Sequence, residues 1–149
     1  MKGIIGHGTY VPRWRLERAS IGATLGSAGG KGRRAVASYD EDTTTMGIEA
    51  ARLALRSAPG ASPSTLWFST TSPAYVDKTN ATTIHAALRL ERHVLAADAG
   101  GAARSAVAVL RSSLEGPTSA LVVAADIRGG LDGQSTSRQL GAFLHPQQT

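Results

Sequence analysis

The chain has 149 residues, 16 basic and 11 acidic side chains, a net charge of +5, few aromatic residues and no cysteine. One domain is the expectation at this length, and the lack of cysteine excludes disulfides, cysteine-ligated zinc, iron–sulfur clusters and a thiolate nucleophile. No apolar run approaches the roughly 18 residues of a membrane-spanning helix, and the amino terminus lacks signal-peptide blocks, so a soluble, cytoplasmic protein with no membrane partner is expected.

The charge is concentrated in one place. Arg13, Arg15, Arg18, Lys31, Arg33 and Arg34 face a single acid, Glu17, within residues 13–34, and the rest of the chain is balanced. A positive field confined to one segment argues against nucleic acid as a partner.

In chain order, residues 3–10 read as a strand that ends at Pro12. Gly6 and Gly8 form a lone G-x-G without the third glycine or the following helix of a dinucleotide fingerprint, so glycines that admit a neighbouring backbone are the preferred reading. His7 between them reads as structural. Residues 13–38 read as a long basic loop with Gly29-Gly30-Lys31-Gly32-Arg33-Arg34 near its end. It is either an anion clamp, with arginine forks for phosphates and Trp14 to stack on a base, or a solvated surface loop.

Asp40-Glu41-Asp42 precede a helix over 43–57, with Asp42 or Thr43 as its cap and Met46, Ala50, Leu53 and Ala54 as its buried face. Three adjacent acids converge poorly on a cation, so no metal site is expected there. Pro59 to Ser64 end the helix, and Leu66 to Thr71 form a strand apolar enough to be covered on both faces. A helix over 79–89 places Ala81, Ile84 and Leu88 inward, with His85 as a packing histidine near that face.

Residues 94–110 read as a strand-turn-helix unit. Val94 to Ala97 form a buried strand, Gly100-Gly101 turn the chain, and Ala102, Ala106, Val109 and Leu110 mark one face of a helix over 101–115. The carboxyl end of such a strand is where ligands and nucleophiles sit in open α/β sheets, yet the turn offers only Asp98 and Ser105. Asp98 reads as a partner of local backbone amides rather than as a catalytic carboxylate. Residues 120–126 add another buried strand. Alternating strands and helices predict an α/β fold, a mainly parallel sheet with helices on both faces. From Gly129 to Thr149 the chain turns polar, with only Leu131, Leu140, Ala142, Phe143 and Leu144 apolar. Residues 129–149 are expected to be a flexible polar tail, or else the architecture is unfinished there.

Four segments taken together resemble the amino-terminal half of 3-hydroxy-3-methylglutaryl-CoA synthase-like proteins, grouped with the type III beta-ketoacyl-acyl-carrier-protein synthases in the thiolase-like superfamily. They are residues 3–16, Asp40 to Met46, Thr71 to Tyr75 with Lys78-Thr79-Asn80-Ala81, and Ala124 to Arg128. The resemblance covers residues 3–128 and implies a thiolase-like half-domain over 1–128, with the basic loop 13–38 inside it. Such folds are built from two similar α/β halves and act as dimers on acyl-CoA thioesters.

In active relatives a cysteine at the start of the helix after the central strand takes the acyl group, and that position falls on Ala103. The family's acid/base glutamate falls on or beside Thr71, and its catalytic histidine belongs to the carboxyl-terminal half. Alanine has no group to form a thioester, and threonine does not exchange a proton near neutral pH as a carboxylate does. The resemblance therefore implies no catalytic residue here. What remains is a truncated or degenerate acyltransferase half, a pseudoenzyme with residual binding of a CoA thioester through Arg13, Trp14, Arg15, Arg33 and Arg34. The alternative is a non-catalytic assembly subunit. Its implied partners are a second copy or the missing carboxyl-terminal half, together with a thiolase and an acyl-CoA-binding protein carrying a zinc ribbon and an oligonucleotide/oligosaccharide-binding fold.

Overall fold

A computed structural model describes residues 3–26, 28–127 and 142–145. They fall into two compact units, one of residues 1–10 and 42–149, the other Val11–Glu41.

The larger unit carries a five-stranded sheet in the order β1-β7-β6-β4-β5, built from β1 (Gly6–Gly8), β4 (Thr65–Ser69), β5 (Leu95–Asp98), β6 (Ala120–Ala124) and β7 (Ala142–His145). β4 pairs parallel with both β5 and β6, whereas β7 runs antiparallel to its neighbours β6 and β1. Four of the five strands thus point one way, the mainly parallel α/β sheet expected from the alternating elements.

Strand alternation sorts the core onto two faces. Leu66 and Phe68 of β4 lie beside Leu121 and Val123 of β6, and all four are fully buried in a cluster with Ala51 and Ala54 of α2 (Thr43–Ser57) and Ile84 of α3 (Asn80–Leu88). Gly47 of α2 sits on this cluster, where an added Cβ would meet Val123, Phe68 and Ile84 at 3.1–3.5 Å. The intervening residues, among them Val122 and Ala124, turn to the opposite face, which α4 (Ala103–Glu115) covers with Ala106 buried.

The G-x-G of β1 has the backbone-admitting role preferred from sequence. A Cβ on Gly8 would lie 2.3 Å from the Ala50 carbonyl oxygen and 2.4 Å from the Ala54 nitrogen, so α2 rests directly on the strand. The Ser57 hydroxyl, placed between the two elements, accepts from the His7 N–H and donates to the His7 carbonyl. His7 serves here through its backbone.

Several expectations are corrected. The strand at 94–97 is not interior. β5 is an edge strand with Leu95 58% exposed, because a short apolar run does not reveal which of its two hydrogen-bonding edges is paired. Leu53 of α2 is exposed rather than buried, and Gly47, Ile48 and Ala51 take its place, because the helix packs against both β1 and α3 and so buries a wider arc than one stripe. Ala102 is the exposed N-cap of α4, not part of its buried face. Within the expected tail, Ala142–His145 form β7 between β1 and β6, where the apolar Ala-Phe-Leu run supplies a strand. The remainder of 129–149 lies outside the described residues.

The smaller unit overturns the reading of 13–38 as a loop. β2 (Trp14–Glu17) and β3 (Arg33–Val36) form an antiparallel ribbon joined through α1 (Arg18–Leu25). All four residues of β2 are exposed, and a ribbon solvated on both faces needs no apolar alternation, which hid it in the sequence. α1 ends at Gly26 in the left-handed region. Gly29 then passes so close to the helix that an added Cβ would lie 2.0 Å from the Arg18 carbonyl oxygen.

Candidate functional site

The parallel strands β4, β5 and β6 end at one edge of the sheet, and the polar residues that follow them meet there. Past β6, Asp126 is 9% exposed. Its Oδ1 accepts from the Thr71 backbone N–H at 2.6 Å, the Thr71 hydroxyl at 2.8 Å and the Thr70 hydroxyl at 3.2 Å. The Ser72 hydroxyl donates to the Ile127 carbonyl at 3.1 Å, so the segments after β4 and β6 are laced together.

Asp98, at the end of β5, does different work. Its Oδ2 accepts from the Asn80 backbone N–H (2.7 Å) and side-chain amide (3.0 Å), and its Oδ1 from the Ala81 N–H (2.7 Å). It therefore satisfies orphan amides at the start of α3, as a cap would, although the cap Thr79 makes no side-chain bond. The expectation that Asp98 bonds backbone amides holds, but those amides lie on another element rather than nearby in the chain.

Asn80, 2% exposed, extends this cluster. Its Nδ2 donates to the Tyr75 carbonyl and its Oδ1 accepts from the Tyr75 N–H, both at 2.9 Å, while the Thr44 hydroxyl lies 3.4 Å from the same Oδ1. The neighbouring Thr43 hydroxyl donates to the Ser72 carbonyl at 2.8 Å. Two segments far apart in sequence, Thr43-Thr44 and Ser72 to Asn80, are thereby joined through buried polar groups. Together they hold a loop whose residues 73–78 are exposed, with Lys78 Nζ 3.7 Å above the Tyr75 ring centroid.

The acids before α2 are each engaged locally. Asp42 caps the helix through Thr45 in a reciprocal box, Glu41 accepts from the Ser38 N–H at 2.7 Å, and Asp40 takes the Ser38 hydroxyl. That hydroxyl bond, assisted by a backbone bond, holds the Asp40 carboxyl below the usual carboxylate range. The His85 Nε2 lies 3.1 Å from the Glu91 carbonyl oxygen, consistent with a packing role.

Ala103, to which the family resemblance assigns the cysteine position, is the first residue of α4. The turn before it passes beside the end of β4, where a Cβ on Gly100 would lie 3.7 Å from the Thr70 carbonyl oxygen, and Gly101 adopts a positive φ of 99° that favours glycine. The Ser105 hydroxyl, the nearest alternative nucleophile in the chain, donates to the Gly100 carbonyl. The structure thus gathers Thr71, Asp126 and the turn into α4 at one sheet edge.

The five residues expected to bind CoA all lie in the smaller unit. Trp14 is 64% exposed on β2, and Arg34 is set across the ribbon from Leu16. Arg15 turns its guanidinium back onto the carbonyls of Pro12, Arg13 and Trp14. Arg33 pairs with Glu17 at 2.5 Å, an ion pair exposed on both sides and therefore weak enough to yield to a stronger anion.

Neither Asp126 nor Asn80 stands out in the sequence as a site residue. The signals are an aspartate closing an apolar strand, a Thr-Asn pair at a helix start, and the place of both residues in segments that carry the family resemblance.

No family model matches the chain. It is 37% identical to the hydroxymethylglutaryl-CoA synthase of Pyrococcus furiosus over 116 residues, spanning 75% of this chain and 33% of that protein. With the synthase of Thermococcus gammatolerans the identity is 33%, over 94% of this chain and 42% of the relative. Among solved structures, MvaS in complex with 3-hydroxy-3-methylglutaryl coenzyme A superposes with a TM-score of 0.79 at 23% identity, over 98% of this chain and 40% of that one. The 3-oxoacyl-[acyl-carrier-protein] synthase III of Aquifex aeolicus gives 0.68 at 26% identity, over 85% and 45%. Among the described residues no helix is long and apolar enough to cross a membrane. The chain is a thiolase-like protein related to hydroxymethylglutaryl-CoA synthases, of whose length it spans 33% to 42%.

Proposed function

We propose that this chain is a hydroxymethylglutaryl-CoA synthase-like acyltransferase half that holds a CoA thioester without taking its acyl group. The observation that carries this reading is the composition of the sheet edge. Alanine stands at the first residue of α4, and Thr71, on or beside which the family's acid/base glutamate falls, has its hydroxyl committed to Asp126. Covalent acyl transfer needs an activated nucleophile, and neither position supplies one.

Binding draws on different residues. Trp14 presents an aromatic face to solvent beside Arg13, and guanidinium forks suit phosphate oxygens. Isothermal titration with CoA tests this. We expect weak binding that falls when Arg33 and Arg34 are both changed to alanine, and no duplex DNA binding at physiological salt. Equal CoA binding by the two proteins removes the ribbon from the site.

A second reading, a non-catalytic assembly subunit, is favoured by β5. An edge strand with Leu95 exposed and two alanines at its centre offers backbone groups for a further strand, as from a second copy or a complementary half. Sedimentation velocity separates the readings. A monomer that binds CoA supports the first alone, and a dimer lost on Leu95→Lys supports the second.

A further inference from the structure

The two aspartates at the strand ends differ in one respect. Asp98 uses both carboxylate oxygens on the start of α3. Asp126 takes all three of its bonds on Oδ1, and among the described residues no donor reaches Oδ2, although the residue is only 9% exposed. A carboxylate oxygen left without a donor on a residue this deeply buried is costly, so its persistence calls for an explanation. The cluster opens outward at Thr71, which is only half-buried, and it lies at the carboxyl ends of parallel strands, where α/β sheets place ligands. A cation is not favoured, because among the described residues no group of three or more histidine, cysteine or acidic side chains could hold one.

We infer that Asp126 Oδ2 is a ligand acceptor, receiving a hydrogen bond from an uncharged N–H or O–H donor on the pantetheine arm of a thioester. The choice of ligand rests on the reading above, but the acceptor lies wholly within the larger unit. Thr70 and Thr71 are the groups that aim it. Their three donors saturate Oδ1 and fix the carboxylate plane, leaving Oδ2 as the atom presented to a ligand. Although position 71 carries no acid, the sheet edge keeps a carboxylate, supplied by the strand next to it.

Asp126→Asn is the discriminating variant. The asparagine carbonyl can keep the three bonds from Thr70 and Thr71, while its NH2 places a donor where the open acceptor was. The probe is acetyl-pantetheine, a thioester without the nucleotide, titrated into 15N-labelled protein and followed by chemical shift. The inference expects binding about tenfold weaker in Asp126→Asn, with the thermal midpoint held within a few degrees. Equal affinity in the two proteins overturns it, as does failure of the unaltered protein to bind the probe. A measurement on the unaltered protein guards against misfolding of the variant: the Asp126 carboxyl 13C resonance should move on titration, and a resonance that stays still while the probe binds overturns the inference. CoA binding that depends on Arg33 and Arg34 can survive either failure, so the two proposals fall separately.

Discussion

Asp126 holds Thr71 at two points with a single oxygen, 2.6 Å from its backbone nitrogen and 2.8 Å from its hydroxyl. The bond to the backbone fixes the path of the chain as it leaves β4, and the bond to the side chain fixes the rotamer. Removing the carboxylate strands a backbone N–H and two hydroxyls near the sheet edge. Asp126→Ala is therefore expected to cost about 2–4 kcal/mol in urea unfolding, whereas Thr71→Val, which retains the backbone bond, costs about 1 kcal/mol. Equal losses would show that the hydroxyl, not the amide, is what the carboxylate serves.

Gly8 makes a second expectation sharp. An added Cβ there meets α2 backbone at 2.3 and 2.4 Å, and backbone in the middle of a packed helix has no rotamer to escape into. Gly8→Ala should destabilise the larger unit by about 3 kcal/mol or more, or prevent folding. At Gly3 an added Cβ meets nothing within 4 Å, so Gly3→Ala should be close to neutral. Denaturation of the pair decides whether close approach or chain flexibility accounts for these glycines.

Asn80 is placed to hold three segments at once, since its amide faces Tyr75, Asp98 and Thr44 while buried to 2% exposure. Asn80→Ala leaves Asp98 with only its two amide partners and frees both backbone groups of Tyr75. About 2–4 kcal/mol should be lost, with hydrogen exchange at the Tyr75 amide accelerated far more than in β6. Uniform acceleration across the sheet would mean that Asn80 stabilises the fold as a whole rather than anchoring the loop.

The body of the fold was legible because its signals are local and strong. Strand patterns at 3–10, 66–71, 94–97 and 120–126 and helical periodicity over 43–57, 79–89 and 101–115 were enough to place four strands and three helices close to where they lie. The smaller unit was illegible because β2 buries nothing, so binary patterning had no face to write on. β7 was hidden by its isolation, being four residues in a polar stretch that become a strand only between β1 and β6.

At the sheet edge, position and partnership separated. Asp98 attracted notice because it sits before two glycines. The roles of Asp126 and Asn80 emerge only when residues 55 and 18 positions apart, Thr71 with Asp126 and Asn80 with Asp98, are brought within hydrogen-bond distance. Side-chain pairings across that span leave no periodic trace in a single sequence.

The most direct test of the central claim is to incubate the protein with acetyl-CoA under conditions where titration shows it bound, then weigh the intact chain by mass spectrometry. A chain that binds CoA without a nucleophile at residue 103 should be recovered unmodified. An acetyl adduct mapped to Ser105, or to any other side chain of the sheet edge, would contradict it.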